Sequence, residues 1–212
     1  DLNVLGKDEE FLTVGAFEVS PNQRYLAYSV DTNGSEAFSI FIKDLQTGQL
    51  FNEKIPNTYE TIAWSDDQTL FYVTLDSTMR PYQLYRHLLN TPVTQDVLAY
   101  NEKDQAFELH LSKTKSEEFV VLEATSLTTS EISLLPANQP ASNWKVVEPR
   151  KTGHKYLVEQ NGNQLFILAD SHKILQAPLN TPRQSNWVEW WSNPSHITLE
   201  VMEIFKDYLV TY

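Results

Sequence analysis

Tyr25-Leu-Ala-Tyr-Ser-Val30 is rich in aromatic and β-branched residues, and Asn33-Gly34 follows it as a tight-turn signal. Ser39-Ile-Phe-Ile42 resumes the apolar pattern, so residues 25–42 read as a β-hairpin. The same reading recurs down the chain. Ser20-Pro21-Asn22 precedes Tyr25, and 45 residues later Ser65-Asp66-Asp67 precedes Leu70-Phe-Tyr-Val73. Phe119-Val-Val-Leu122, Leu165-Phe-Ile-Leu168 and Tyr208-Leu-Val-Thr211 continue the series, with starts 49, 46 and 43 residues apart. No segment carries a long 3.6-residue apolar stripe, and the ten prolines sit mostly at strand borders. The chain reads as all-β.

Each unit reads as a short strand, a strong strand, a third strand and a weaker fourth. Thr61–Ser65, Leu70–Leu75, Tyr82–Leu88 and Asp96–Tyr100 would form one four-stranded antiparallel sheet. A period in the forties with four strands per unit is the signature of β-propeller blades, with an irregular β-sandwich as the alternative. Blades are expected over residues 17–56, 61–100, 107–149 and 156–191, with half a blade over 197–212. Their innermost strands would be Phe17–Ser20, Thr61–Ser65, Phe107–Lys113 and Tyr156–Gln160. About four and a half blades suggest a slice of a larger propeller. The start at Asp1-Leu2-Asn3, without an initiator Met or a signal segment, reads as a processed or excised chain. Open blade edges would expose Leu199, Val201 and Phe205 and favour self-association.

Composition narrows the function. The 212 residues carry 28 acidic and 16 basic side chains, net −12, which argues against a nucleic-acid backbone binder. Residues 1–100 hold half of the acids but only 6 of the 16 basic residues. No apolar run is long enough to span a membrane as a helix. The absence of cysteine removes disulfides, thiolate zinc sites and a cysteine nucleophile. His87, His110, His154, His172 and His196 are too far apart for a local metal motif, and no Gly-rich phosphate loop occurs, so no metal or cofactor is expected. Asp8-Glu9-Glu10 and Glu117-Glu118 lack the alternating oxygen ligands of a calcium loop. Asn33-Gly34-Ser35 is formally a glycosylation sequon, but turn chemistry explains it. Trp187, Trp190 and Trp191 are expected in inter-blade packing.

The residues also carry a family resemblance. Val14–Asp31, Phe41-Ile-Lys-Asp-Leu-Gln-Thr-Gly48, Arg80-Pro-Tyr-Gln-Leu-Tyr-Arg-His87, Asp96-Val-Leu-Ala-Tyr-Asn-Glu102 and Ser126-Leu-Thr-Thr-Ser-Glu131 resemble the propeller domain of the prolyl oligopeptidase family, in its oligopeptidase B subgroup. The resemblance implies a seven-bladed propeller over an α/β-hydrolase domain with a Ser-Asp-His triad. It also implies hydrolysis of short peptides after Lys or Arg, in the cytoplasm with the periplasm left open. The propeller would filter substrate, and its partners would be short basic peptides and the hydrolase domain. None of the six glycines brackets a serine as Gly-x-Ser-x-Gly, so this stretch holds no catalytic residue of that type. A stand-alone propeller serving as a binding scaffold is the alternative. Glu36 and Arg80 occupy equivalent turns of successive blades and are the candidates for contact with the hydrolase domain.

Overall fold

The computed structural model describes residues 2–170, 172–194 and 198–211. His196 and Ile197, the first residue of the expected half blade, lie outside the described residues. Two compact units emerge, one of residues 1–112 with 137–141, the other of 113–136 with 142–212.

The first unit holds β1 (Thr13–Val19), β2 (Tyr25–Asp31), β3 (Phe38–Asp44), β4 (Leu50–Trp64), β5 (Thr69–Leu75), β6 (Pro81–Leu88), β7 (Val97–Asn101) and β8 (Glu108–Lys113, whose last residue falls in the second unit). Strands β1 to β7 pair antiparallel in sequence order. Every residue of β2 is buried, because both faces of this strand are covered. Tyr25 and Ala27 pack with Ile40, Ile42, Ile55, Ile62, Trp64 and Leu70, while Leu26, Tyr28 and Val30 pack with Leu12, Val14 and Phe41. A strand buried on both faces needs an apolar run rather than alternation, which is what Tyr25–Val30 supplies.

The 15-residue β4 departs from expectation. Residues 57–60 were expected as a break between blades, but Thr58 pairs with Phe38 on one side and Thr74 on the other. Pro56 and Asn57 signal a stop, yet the proline lacks only one donor and the asparagine takes a left-handed φ of 55°. The chain therefore turns from one blade into the next with Thr58 as the paired pivot between two register shifts. Gly15 permits this close approach, since a Cβ there would lie 2.7 Å from both Glu60 Cβ and Ser29 Oγ.

The second unit holds β9 (Phe119–Thr125), β10 (Ser130–Pro136), β11 (Lys145–Val146), β12 (Leu157–Asn161), β13 (Gln164–Asp170), β14 (Lys173–Pro178), β15 (Val188–Ser192), β16 (Met202–Ile204) and β17 (Leu209–Thr211). Strands β12 to β15 form a four-stranded antiparallel sheet and β16 pairs with β17. One face of β13 packs Leu165 and Ile167 against Val121, Ile132, Leu134 and Tyr156. Its other face packs Phe166 and Leu168 against Leu199, Met202 and Ile204. The expected exposure of Leu199 is thus corrected, since it is 6% exposed, while Val201 is half-buried and Phe205 is exposed. The reason is that the neighbouring sheet's apolar face is present to cover it. Trp187 packs beside Tyr156, whereas Trp190 meets Phe166 edge-on and stays half exposed.

A hydrogen-bond ladder repeats the blade interval. The Asn22 amide donates to Asp67 Oδ1 at 2.8 Å, the Lys115 amide to Glu159 Oε2 at 3.2 Å, and Asn161 Nδ2 to the Phe205 carbonyl at 3.2 Å. Leu89-Asn-Thr-Pro92 and Leu179-Asn-Thr-Pro182 repeat at twice that interval. Each leads into a 3₁₀ turn, at Val93–Gln95 and Gln184–Asn186.

Candidate functional site

The turns between second and third strands carry both candidate residues, and an aspartate organises each. Asp31 ends β2 and accepts hydrogen bonds from the amides of Asn33 at 2.9 Å, Gly34 at 3.0 Å and Glu36 at 2.8 Å. Burial alone would raise its carboxyl, but the converging amides outweigh burial and hold its pKa below the usual aspartate range. Glu36 is fixed at φ 61° with its side chain exposed.

Asp76, 45 residues on, does the same for the next blade. Its carboxylate accepts from the Thr78 hydroxyl and amide and from the Arg80 amide and guanidinium. The Thr78 hydroxyl contributes most, and these donors outweigh burial to lower the pKa to about 2. Arg80 is not turned outward. Its Nη1 donates to the Phe107 carbonyl at 2.8 Å and the Asp104 carbonyl at 3.3 Å, and the guanidinium lies 5.3 Å over the Tyr82 ring. Its side chain is only 12% exposed. The structure does not bring Glu36 and Arg80 together as a pair among the described ion pairs.

A second group of residues escaped the sequence reading. Tyr59, at the bend of β4, meets the His110 ring edge-on at 5.6 Å. Burial, then the charges of Glu60, Glu108 and Glu36, raise the Tyr59 hydroxyl above its ordinary pKa. The charges of three carboxylates from three separate segments thus bear on one half-buried phenol. No local motif marks such a convergence, because β4, β8 and the 31–37 turn supply one or two residues each. The arrangement holds negative charge beside an aromatic surface, which suits a cationic side chain.

His87 and His154 brace the fold. His87 is fully buried, its Nδ1 lies 2.7 Å from Asp96 Oδ1, and the Tyr72 hydroxyl donates to Asp96 Oδ2 at 2.7 Å. His87 Nε2 has no hydrogen-bond partner among the described residues, so no hydroxyl stands where a nucleophile would. His154 stacks on Tyr156 at 5.4 Å. Among the described residues no group of three or more His, Asp and Glu could hold a metal ion. No described helix is long and apolar enough to cross a membrane.

Antiparallel strands paired with their sequence neighbours, with β2 in the first unit and β13 in the second packed on both faces, define a portion of a β-propeller. The chain belongs to the prolyl oligopeptidase N-terminal β-propeller domain family, whose model matches residues 1–212. It is 32% identical over 217 residues to dipeptidyl aminopeptidase BI of Pseudoxanthomonas mexicana, covering 99% of this chain and 30% of that protein. It is 35% identical over 187 residues to protease 2 of Moraxella lacunata, covering 85% of this chain and 27% of that protein. The structure of oligopeptidase B from Leishmania major superposes with a TM-score of 0.91 at 28% identity, covering all of this chain and 31% of that one. The chain thus spans about 30% of the length of the relatives it matches.

Proposed function

We propose that these residues form the substrate-filtering propeller portion of a cytoplasmic serine oligopeptidase that cleaves short peptides after Lys or Arg, the catalytic serine lying outside them. The observation that supports the specificity is the exposed acidic surface of Glu36, Glu60 and Glu108, within a chain of net charge −12. Clustered negative charge raises the local concentration of cationic peptides and speeds their encounter. The family membership supports a serine peptidase as the parent, and oligopeptidase B among the similar structures supports the basic-residue reading.

The contact with a hydrolase domain falls to Glu36, because its side chain is exposed, whereas Arg80 is spent within the chain. Self-association draws on less apolar surface than the sequence suggested, with Phe205, Tyr208 and Val210 exposed in the second unit and Phe17, Val19 and Leu50 exposed in the first. Sedimentation of the full-length protein at rising concentration measures it.

The test of the steering is kinetic. In the full-length protein, kcat/KM for a Lys- or Arg-containing peptide should fall as salt rises from low to physiological, because screening shortens the reach of surface charge to about 10 Å or less. Glu60→Gln with Glu108→Gln should flatten that dependence and leave kcat unchanged. A kcat/KM indifferent to salt, with the fold intact, removes the steering.

A further inference from the structure

The chain contains two Asn-Gly pairs in tight turns, Asn33-Gly34 and Asn161-Gly162, both with the glycine at positive φ. An asparagine followed by glycine is where the side-chain amide is open to attack by the next backbone nitrogen, since no Cβ obstructs the approach. A Cβ on Gly34 would have only the Phe11 ring within reach, at 4.0 Å, and one on Gly162 would have no atom within 4 Å. Local sequence therefore does not separate the two sites. Their side chains do.

Asn161 is clamped. Its Nδ2 donates to the Phe205 carbonyl at 3.2 Å and the Lys206 carbonyl at 3.1 Å, tying the amide into the blade-to-blade ladder. Swinging its Cγ towards the Gly162 nitrogen would break both bonds. Asn33 is arranged the opposite way. Its side chain is exposed, and its Nδ2 makes no hydrogen bond among the described residues. Its Oδ1 accepts from the Ser35 amide at 3.1 Å, a donor that polarises the Cγ carbonyl and stabilises charge developing on that oxygen. The Gly34 amide, the attacking group, donates to Asp31 Oδ1 at 3.0 Å, so a carboxylate stands ready to receive its proton. Electrophile, nucleophile and proton acceptor thus meet at one exposed turn, with the leaving nitrogen free in solvent.

We propose that Asn33 is a site of self-modification through a succinimide, and that Asn161 is protected from the same reaction. The Gly34 nitrogen bonds to Asn33 Cγ, its proton passes by way of Asp31 to the departing Nδ2, and the Cγ–Nδ2 bond breaks to release ammonia. Water then opens the five-membered imide at either carbonyl, leaving aspartate or isoaspartate at position 33. No oxidant, metal or further reactant takes part. Each conversion adds one negative charge to the turn that already buries the Asp31 carboxylate and displays Glu36. The isoaspartate product also lengthens the backbone inside the Asp31 cage.

The experiment is to hold the full-length folded protein at mildly alkaline pH and follow both peptides by mass spectrometry and enzymatic isoaspartate labelling. Position 33 should convert at least about tenfold faster than position 161, the penalty for a misaligned reacting pair. In denaturant, where the clamp is gone, the two should convert at similar rates, and Gly34→Ala should suppress conversion at 33 in the folded protein. Equal rates at 33 and 161 in the folded state, or no isoaspartate at 33, would overturn the proposal. So would undiminished conversion in Gly34→Ala.

Discussion

Arg80 Nε lies 3.0 Å from Asp76 Oδ2, and the same guanidinium reaches on to the carbonyls of Asp104 and Phe107. A residue at the start of a third strand is thereby tied to the segment that leads into the next blade. At the equivalent turn one blade earlier, Asp31 holds the backbone of Glu36 in the same way but leaves its side chain outside. The anchoring aspartate is repeated, and what it displays is not.

Arg80→Ala should therefore act on stability before function. It strips a planar donor from two carbonyls and a carboxylate, and the expected loss is about 1–3 kcal/mol, read as a lower melting temperature. Arg80→Lys should recover only part of it, because an ammonium cannot reproduce the fork. A variant with unchanged melting temperature and reduced turnover would assign Arg80 to the domain contact instead.

Acid stability follows from Asp76 and Asp31. Both carboxyls have folded pKa values below the ordinary aspartate value, that of Asp76 at about 2. In the unfolded chain they titrate near 3.9. Below that pH the unfolded state takes up protons that the folded state refuses, so the stabilisation is present above about pH 4 and is lost as pH falls towards 2. Asp76→Asn should flatten the stability profile across that window. An unaltered acid-unfolding midpoint would show that the turn does not hold the carboxylate as described.

Tyr156 gives a prediction in the second unit. Its hydroxyl accepts from the amides of Ile132 and Glu148, both at 3.1 Å, and donates to the Glu148 carbonyl at 2.7 Å. Burial, only partly offset by these amides, pushes its pKa up to about 12. Tyr156→Phe keeps the ring against Trp187 and leaves two buried amides and a carbonyl unpaired. The expected cost is about 3 kcal/mol or more by denaturant unfolding, since each of the three orphaned buried groups costs about 1–3 kcal/mol. A loss below about half a kcal/mol, the level of an ordinary surface change, would mean that water replaces the hydroxyl.

The strand order was legible because Tyr25–Val30 and its successors are apolar on both faces, which few environments outside stacked sheets require. Asp31 and Asp76 stand 45 residues apart in the sequence, but their capping role shows only where the amides converge. Residues 57–60 fall between the expected blades because Pro56 reads as a strand border, a signal whose force depends on whether a neighbouring strand needs the missing donor. Leu199 was misjudged for a related reason, since exposure is a property of the face opposite. Tyr59 and its three carboxylates were invisible, as they come together from positions 36 to 108 with no shared spacing.

Glu36 is the residue left to hold a second domain. Its amide is fixed by Asp31 and its carboxylate is exposed near the other acids around Tyr59. An exposed ion pair contributes only about 0–1 kcal/mol, so a contact made by Glu36 matters through closure of the enzyme rather than through folding. Glu36→Ala in the full-length protein should lower turnover while the melting temperature stays within about a degree or two, the response expected of a small surface change. Glu36→Gln should behave as the alanine variant if the partner is a cation, and as the parent if the partner only donates a hydrogen bond. Asp31→Asn, which loosens the hold on the Glu36 amide without altering the Glu36 side chain, should lower turnover in the same direction. If both Glu36 variants turn over as the parent does, the 31–37 turn makes no contact that the reaction needs.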